Sequence, residues 1–340
     1  MTAVTEDVGG YDVPAVTAWM ENNVQALRPP FTWSRFTTGH SNLTFELVDA
    51  DGRRAVIRRP PLGELQPKAH DMSREFRIIS ALWPTPVPVA EPYAFCADTG
   101  VTGAPFYVMG FVAGRALPTP QDMETIPVEL RPVVSRSHVD VLGELHLLDP
   151  DEIGLGTLGA KEDYLGRQLR AWYRSWTTSA EDAGYDDPRV HELHTFLDER
   201  KPAQGPARVA HGDYGLHNCM VGADGSISAV LDWEVATLGD PLADLAYLIN
   251  RWKAATAAPA LAGYLPPEEM IELYRARTGA DVSGLDYYLA FNHWKTACII
   301  HGVYTRYVRG QKSSHGVDLE AMRESIGTLL DEAAGAAEGV

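Results

Sequence analysis

Three oxygen-bearing side chains in the second half of the chain have the types and spacing that metal-assisted chemistry uses. Asp213 is followed five residues later by Asn218, and Asp232 ends an apolar stretch further along. Carboxylate and amide oxygens are the ligands that a hard cation such as Mg²⁺ prefers, with phosphates and waters completing its shell. These residue types therefore indicate a magnesium site with one further carboxylate that can act as a base.

A predicted β-hairpin explains how these side chains would meet. Short apolar strands are predicted at Cys219–Val221 and Ile227–Leu231, and Ala223-Asp224-Gly225 is predicted to form the turn between them. A hairpin of this length brings its two outer ends together, so we expect Asn218 and Asp232 side by side, with Asp213 just before them. The spacing thus predicts a cluster of metal ligands and a base.

The elements around this hairpin predict an α+β fold. The first part of the chain is predicted to be rich in strands, and the chain is mainly helical from about residue 126 onward. The early elements are, in order, a helix over Tyr11–Leu27 capped by Asp12, strands within Phe31–Val48, an Asp51-Gly52 hairpin turn, a strand at Ala55–Arg58, a helix over Ser73–Leu82, an extended proline-rich stretch over Pro84–Pro92, and a strand at Phe106–Met109.

Several motifs together resemble a known family. His211-Gly212-Asp213 with Asn218, then Leu231-Asp232-Trp233-Glu234 and Gly239-Asp240-Pro241, resemble the aminoglycoside phosphotransferase and choline kinase group. The resemblance implies a protein-kinase-like bilobal fold with a small β-rich N-lobe and a larger, mainly helical C-lobe. It implies that residues 1–110 hold the nucleotide and that residues 111–340 contain the catalytic loop, the metal site and a helical acceptor-binding region.

The resemblance also implies a role for each site residue. Asp213 would orient the acceptor hydroxyl and accept its proton, and Asn218 and Asp232 would bind Mg²⁺. The residues implied to bind ATP are Gly39, Ser41 and Asn42 over the phosphates, Arg58 on the phosphates with Glu75 as its partner acid, and the backbones of Gly110 and Val112 on the adenine. The implied cofactors are ATP and Mg²⁺.

The acceptor is left open between two classes. Gly39–Thr44 and Arg58-Arg59-Pro60-Pro61 resemble the kinase half of fused acyl-CoA dehydrogenases and their free-standing bacterial relatives, which suggests a hydroxyacyl-CoA or a hydroxy acid. The wider group suggests an aminoglycoside or another amino alcohol. Arg58 stands where the group carries a lysine, and this departure motivates a second hypothesis, a weakly active pseudokinase or nucleotide-binding module. A metal-dependent hydrolase is a third class, but it leaves Glu75 and the Gly39–Thr44 turn unexplained.

Composition limits the partners. The net charge of -17 argues against broad binding of nucleic acid and would suit a cationic substrate. No apolar run is long enough to span a membrane, and the first residues lack a signal-peptide pattern, so we expect a cytoplasmic protein with no membrane partner. The three cysteines are far apart and are expected to be buried and reduced.

Several of these residues also have an ordinary structural role. Asp and Asn often serve only as caps or turn residues. His211 is expected to hold its loop by hydrogen bonding, Asp240 to cap a helix, and Asp244 to brace the loop that carries Asp213.

Overall fold

The computed structural model describes residues 8–36, 42–63, 70–311 and 316–340. The chain forms two compact units. The first unit contains Met1–Pro118 together with Leu216–Val235, and the second contains Thr119–Gly215 together with Ala236–Val340. The predicted hairpin therefore belongs to the first unit, although the chain reaches it only after passing through part of the second.

Strands and helices alternate over the described ranges. The strands are β1 (Thr32–Arg35), β2 (Leu43–Val48), β3 (Arg54–Arg59), β4 (Pro92–Cys96), β5 (Phe106–Gly110), β6 (Arg208–Ala210), β7 (Cys219–Val221), β8 (Ile227–Val230) and β9 (Thr237–Gly239). The helices are α1 (Val13–Asn23), α2 (Met72–Leu82), α3 (Pro120–Glu124), α4 (Arg131–Leu147), α5 (Tyr164–Ala183), α6 (Pro188–Glu199), α7 (Pro241–Thr256), α8 (Pro267–Thr278), α9 (Leu285–Val308) and α10 (Leu319–Ala337). The predicted α+β class is confirmed.

The first unit is built on a five-stranded antiparallel sheet in the order β1-β2-β3-β5-β4. Burial alternates along β2, so Leu43, Phe45 and Leu47 all face the core. They pack there with Trp33 and with the apolar side chains of α1. Burying each of these large side chains contributes about 2 kcal/mol, which makes the sheet a firm support for residues on its strands.

Among the described residues of the first unit, the two α-helices, α1 and α2, begin at aspartate caps. The Asp12 side chain accepts a hydrogen bond from Ala15 N at 3.0 Å and caps α1, as predicted. The Asp71 side chain accepts from Arg74 N at 3.1 Å and starts α2 within one residue of the predicted start. This start places Glu75 in the first turn of α2, where it is buried.

The strands β4 and β9 were not predicted. β4 follows directly on the proline-rich stretch and begins at Pro92, at an edge of the sheet where a missing N–H is tolerated. β6 and β9 pair with each other and have three residues each, which is too short for any periodicity in the sequence to be visible.

The second unit is mainly helical. Its longest helix, α9, has 24 residues and packs against α5, α7 and α10. Among the described residues, no helix is long and apolar enough to cross a membrane. All three cysteines, Cys96, Cys219 and Cys298, are buried and free, as predicted.

Candidate active site

Arg58 is the centre of a charged cluster in the first unit. Strand β3 holds it between Thr44 on β2 and Tyr107 on β5. Its Nε lies 3.1 Å from Glu75 Oε2, and its Nη2 lies 3.0 Å from Asp232 Oδ1. One guanidinium therefore contacts two carboxylates, one from α2 and one from the residue that follows the β7–β8 hairpin.

Burial determines the electrostatics of this cluster. The Glu75 side chain is only 3% exposed, and Tyr107 Oη donates a hydrogen bond to its Oε2 at 3.0 Å. Burial raises the pKa of Glu75, and the positive charge of Arg58 opposes that rise. Burial alone would lower the pKa of Arg58, but Tyr107 and the two carboxylates raise it above its ordinary value. The arginine therefore remains a fixed cation.

Asn42 extends the cluster on the β2 side. With its amide oxygen turned toward Arg58, it accepts hydrogen bonds from Nη2 at 2.6 Å and Nε at 3.2 Å, and its nitrogen donates to His70 Nδ1 at 3.0 Å. The structure thus brings together Asn42, Arg58 and Glu75, three of the residues predicted to bind nucleotide. Gly39 and Ser41, the other two predicted to lie over the phosphates, are outside the described residues.

The β7–β8 hairpin has the predicted strands and turn. Cys219 pairs with Val230, and Leu231 N donates to Asn218 O at 2.8 Å, so the ladder continues one residue beyond the strands. Asn218 and Asp232 consequently end the hairpin together, as the spacing predicted. Asp232 has a φ of 61°, a left-handed conformation that Asp adopts more readily than most residues.

The two hairpin-end side chains differ in exposure. The Asp232 side chain is 31% exposed, whereas Asn218 is buried at 8%. Asn218 Nδ2 lies 3.2 Å from His217 Nε2, and this contact orients the amide. One amide and one carboxylate are thus held at the adjoining ends of the two paired strands.

The hairpin is attached to the loop that follows β5. Arg115 and Val221 exchange backbone hydrogen bonds of 3.1 and 2.9 Å, and Ser228 Oγ donates to Ala113 O at 3.0 Å. Gly114 between them has a φ of 139°, and a Cβ there would lie 2.7 Å from Val221 O. Only glycine permits this close approach.

The same loop contains the two predicted adenine contacts. Gly110 N already donates to Glu91 O at 2.8 Å, so this N–H is not available to a ligand. Among the described residues Val112 forms no backbone hydrogen bond, and its N–H and carbonyl therefore can serve one.

Asp213 lies in the second unit, in the loop after β6. Tyr247 Oη, from α7, donates a hydrogen bond to Asp213 Oδ1. Burial raises the pKa of Tyr247, and the negative charge of Asp213 raises it further, so the phenol remains a donor. Asp213 N donates to His211 Nδ1 at 3.3 Å, in agreement with the expected loop-holding role of His211.

Asp244 braces this loop from the first turn of α7, as predicted. It is 1% exposed, and it accepts from His211 N at 2.5 Å and from Gly212 N at 2.9 Å. Burial alone would raise the pKa of Asp244, but its contacts with two histidines and the Gly212 N–H lower it. Asp240 caps α7 by accepting from Leu242 N at 3.1 Å, also as predicted.

Sequence reasoning did not single out three residues of these clusters. Tyr107 and Tyr247 each donate to a predicted site carboxylate, and Lys295 is a buried lysine on α9. Each tyrosine hydroxyl donates to a partner at least 32 positions away in the chain. No local pattern marks them, since aromatic and long side chains on helices and strands usually belong to the core.

The donor set at the hairpin end suits magnesium. Over the ranges that the structure describes, no group of three or more His, Cys, Asp or Glu side chains is placed to hold a metal ion alone. Mg²⁺ usually binds through one or two protein oxygens, with phosphates and waters as its other ligands. Asn218 and Asp232 fit that requirement.

Comparison with known proteins agrees with the motifs. Residues 32–276 match APH, the phosphotransferase enzyme family. The chain is 33% identical over 300 residues to acyl-CoA dehydrogenase family member 10 of Mus musculus, a match that covers 84% of this chain and 27% of the mouse protein. The chain thus spans about a quarter of that relative's length.

Two solved structures share the fold. A Ralstonia eutropha protein assigned as an aminoglycoside phosphotransferase has a TM-score of 0.84 at 30% identity, covering 96% of this chain and 98% of that chain. A thermostable mutant of aminoglycoside phosphotransferase APH(4)-Ia, solved with AMP-PNP and hygromycin B, has a TM-score of 0.61 at 15% identity, with the same coverage.

Fold and family define a kinase-like phosphotransferase that acts on hydroxyl groups of small molecules. The chain belongs to the phosphotransferase enzyme family, and the resemblance inferred from its motifs is confirmed.

Proposed function

We propose that the protein transfers the γ-phosphate of ATP to a hydroxyl group of a small molecule, with Mg²⁺ as cofactor. The observation that carries this proposal is the Arg58 cluster, in which a fixed guanidinium contacts Glu75 and Asp232 beside a hairpin that ends in two oxygen ligands. The bound AMP-PNP of APH(4)-Ia supports ATP as the donor.

The first unit supplies the nucleotide contacts. Arg58 binds the phosphates, and Glu75 fixes its position. Asn218 and Asp232 hold Mg²⁺, which when bound neutralises charge on the phosphates. The remaining proposed ATP contacts are Gly39, Ser41 and Asn42 over the phosphates and, at the adenine, the Gly110 carbonyl and the backbone of Val112.

Asp213 is the proposed catalytic carboxylate. It orients the acceptor hydroxyl for attack and accepts its proton, the role that phosphoryl transfer requires of a protein side chain. Tyr247 holds one of its oxygens, and the bracing of His211 and Gly212 by Asp244 fixes the backbone before it.

Two acceptor classes have support. The name of the mouse relative supports a hydroxyacyl-CoA or hydroxy acid. The hygromycin B complex of APH(4)-Ia supports an amino alcohol. A screen of hydroxyacyl-CoAs, aminoglycosides, macrolides and choline, read as ADP release, separates the two.

Asp213→Asn tests the catalytic role. The amide cannot accept the proton, so we expect transfer to fall by about 100- to 10,000-fold while calorimetry shows unchanged binding of ATP with Mg²⁺. Asp140→Asn, an exposed aspartate of α4, is the control and should keep full activity. Normal transfer by Asp213→Asn would contradict the assignment.

The same measurements test the second hypothesis, a nucleotide-binding module. It is favoured by Arg58 in place of lysine, and it predicts ATP binding with no acceptor-stimulated ADP release for any compound in the screen.

A further inference from the structure

Lys295 is a buried lysine in the mainly helical second unit. It lies in the middle of α9 and is 9% exposed. Among the described residues its ammonium forms no hydrogen bond and no ion pair within 4.0 Å. A charged group removed from water is normally paired, because the lost hydration is otherwise uncompensated. A methionine would fill this place in the core without that cost.

The position of Lys295 is next to the loop that carries Asp213. Asn292, one turn earlier on α9, donates to Ala243 O at 2.9 Å, so this face of α9 packs on the first turn of α7. Burial lowers the pKa of Lys295, and the negative charges of Asp244 and Asp213 oppose that shift. The ammonium is therefore within electrostatic reach of the proposed catalytic carboxylate.

Among the described residues, neither of these carboxylates comes within 4.0 Å of the Lys295 ammonium. Both oxygens of Asp244 accept backbone hydrogen bonds from His211 and Gly212. Oδ1 of Asp213 accepts from Tyr247. These two acids favour the charged form of Lys295 from a distance, and its hydrogen-bonding capacity is left for another group.

We propose that Lys295 binds an anionic group of the acceptor, a carboxylate or a phosphate, and so selects acceptors whose reacting hydroxyl lies near a negative charge. This inference rests on the proposed function and deepens it, because it favours the hydroxy acid class over the amino alcohols. An ammonium group on the acceptor would be repelled at this position. The chain's net charge of -17 favours cations only at long range, and salt at about 0.1 M screens it beyond about 10 Å, whereas a buried contact is screened much less.

A binding experiment without nucleotide tests the proposal. The probes are 3-hydroxybutyrate and its uncharged methyl ester, each titrated into the whole protein by ligand-observed NMR. Hydrogen bonds to charged groups predict that the wild type binds the acid about tenfold or more tightly than the ester. Lys295→Met should abolish this preference, and Lys295→Arg should retain most of it. Equal binding of acid and ester by the wild type would overturn the proposal.

Lys253→Met is the matched control, because it removes the same charge from an exposed position on α7. It should leave the preference for the acid unchanged. A purely structural role for Lys295 would instead lower the melting temperature of Lys295→Met and leave the acid-to-ester ratio unchanged, which would also overturn the proposal.

Turnover measurements show whether Lys295 binds an anionic group of the acceptor or the phosphoryl group that is transferred. Binding to the acceptor predicts that Lys295→Met raises KM for an anionic acceptor found in the screen, with little effect on a neutral analogue. Binding to the phosphoryl group predicts an equal fall in kcat for both, and that result would refute the proposal. The NMR arm uses no ATP, so its outcome does not depend on whether Asp213 is the catalytic base.

Discussion

Arg58 uses two different nitrogens for two carboxylates, which a lysine ammonium cannot do in the same geometry. Nε contacts Glu75 and Nη2 contacts Asp232, so the planar guanidinium bridges α2 and the hairpin end. The replacement of the family's usual lysine is thus accommodated locally, since Asn42 adds an acceptor to the same two nitrogens.

Arg58→Met should destabilise the first unit strongly. It leaves Glu75 with no cation among the described residues, and breaking a buried ion pair costs about 3–5 kcal/mol. Because burial already raises the pKa of Glu75, the carboxyl will respond partly by taking up a proton. Urea unfolding at neutral pH measures the loss.

Two matched variants separate charge from shape. Arg58→Lys keeps the cation and should lose less stability than Arg58→Met. Adding Glu75→Gln to Arg58→Met removes the unpaired charge and should recover part of the loss. Equal destabilisation by the lysine and methionine variants would show that the charge of Arg58 is not what matters.

At the scale of elements, a β-hairpin and the start of a helix position the site. The β7–β8 hairpin brings Asn218 and Asp232 together, and the first turn of α7 holds the loop that carries Asp213. The hairpin is local, and the turn signal in the sequence predicts it. The brace is not local, because Asp244 accepts from N–H groups 32 and 33 positions earlier in the chain.

Asp244→Ala should disrupt the second of these devices. It leaves the buried N–H groups of His211 and Gly212 without an acceptor, at about 1–3 kcal/mol each. We expect a similar total loss in urea unfolding and at least a tenfold fall in transfer rate under conditions where the variant is folded, because the backbone before Asp213 is released.

Asp244→Asn should be intermediate, since one oxygen remains as an acceptor. Asp140→Ala, at an exposed site on α4, controls for the loss of an acidic side chain and should change neither quantity. A stable, fully active Asp244→Ala variant would mean that the loop does not depend on this brace.

The sequence could not predict the parts of the site that depend on tertiary packing. Tyr107 on β5 donates to Glu75 on α2, and Tyr247 on α7 donates to Asp213. The position of Lys295 near the Asp213 loop depends on the packing of α9 on α7. The short strands β4 and β9 were not predicted for a similar reason, because pairing with other strands rather than local periodicity forms them.

At the scale of the whole molecule, acid should destabilise the protein. Burial lowers the pKa of His194, His293 and His301, in the case of His293 to about 4. The Glu332 carboxylate, 3.1 Å from His293, opposes that shift, but it is half exposed and the burial of the imidazole outweighs it. All three histidines therefore resist protonation in the folded chain.

The sign of the effect follows from proton linkage. A group whose pKa is lower in the folded state contributes stability above its unfolded pKa, near 6.5, and that stability is lost as the pH falls toward the folded value. Each such histidine contributes a slope of at most about 1.4 kcal/mol per pH unit. Surface charge acts in the opposite direction. As the pH falls toward the isoelectric point near 5.0, the net charge of -17 is reduced, and the weaker self-repulsion stabilises the fold.

We expect the histidines to dominate, because their cost is local and unscreened while surface repulsion is weakened by salt. The free energy of unfolding in urea should therefore fall between about pH 7 and pH 5, and His293→Gln should make that fall shallower. Above about pH 7, where His293 is neutral in both states, variant and parent should differ by a constant amount. An unchanged slope in His293→Gln would show that this imidazole does not contribute, and a rise in stability toward pH 5 would show that relief of surface repulsion is the larger effect.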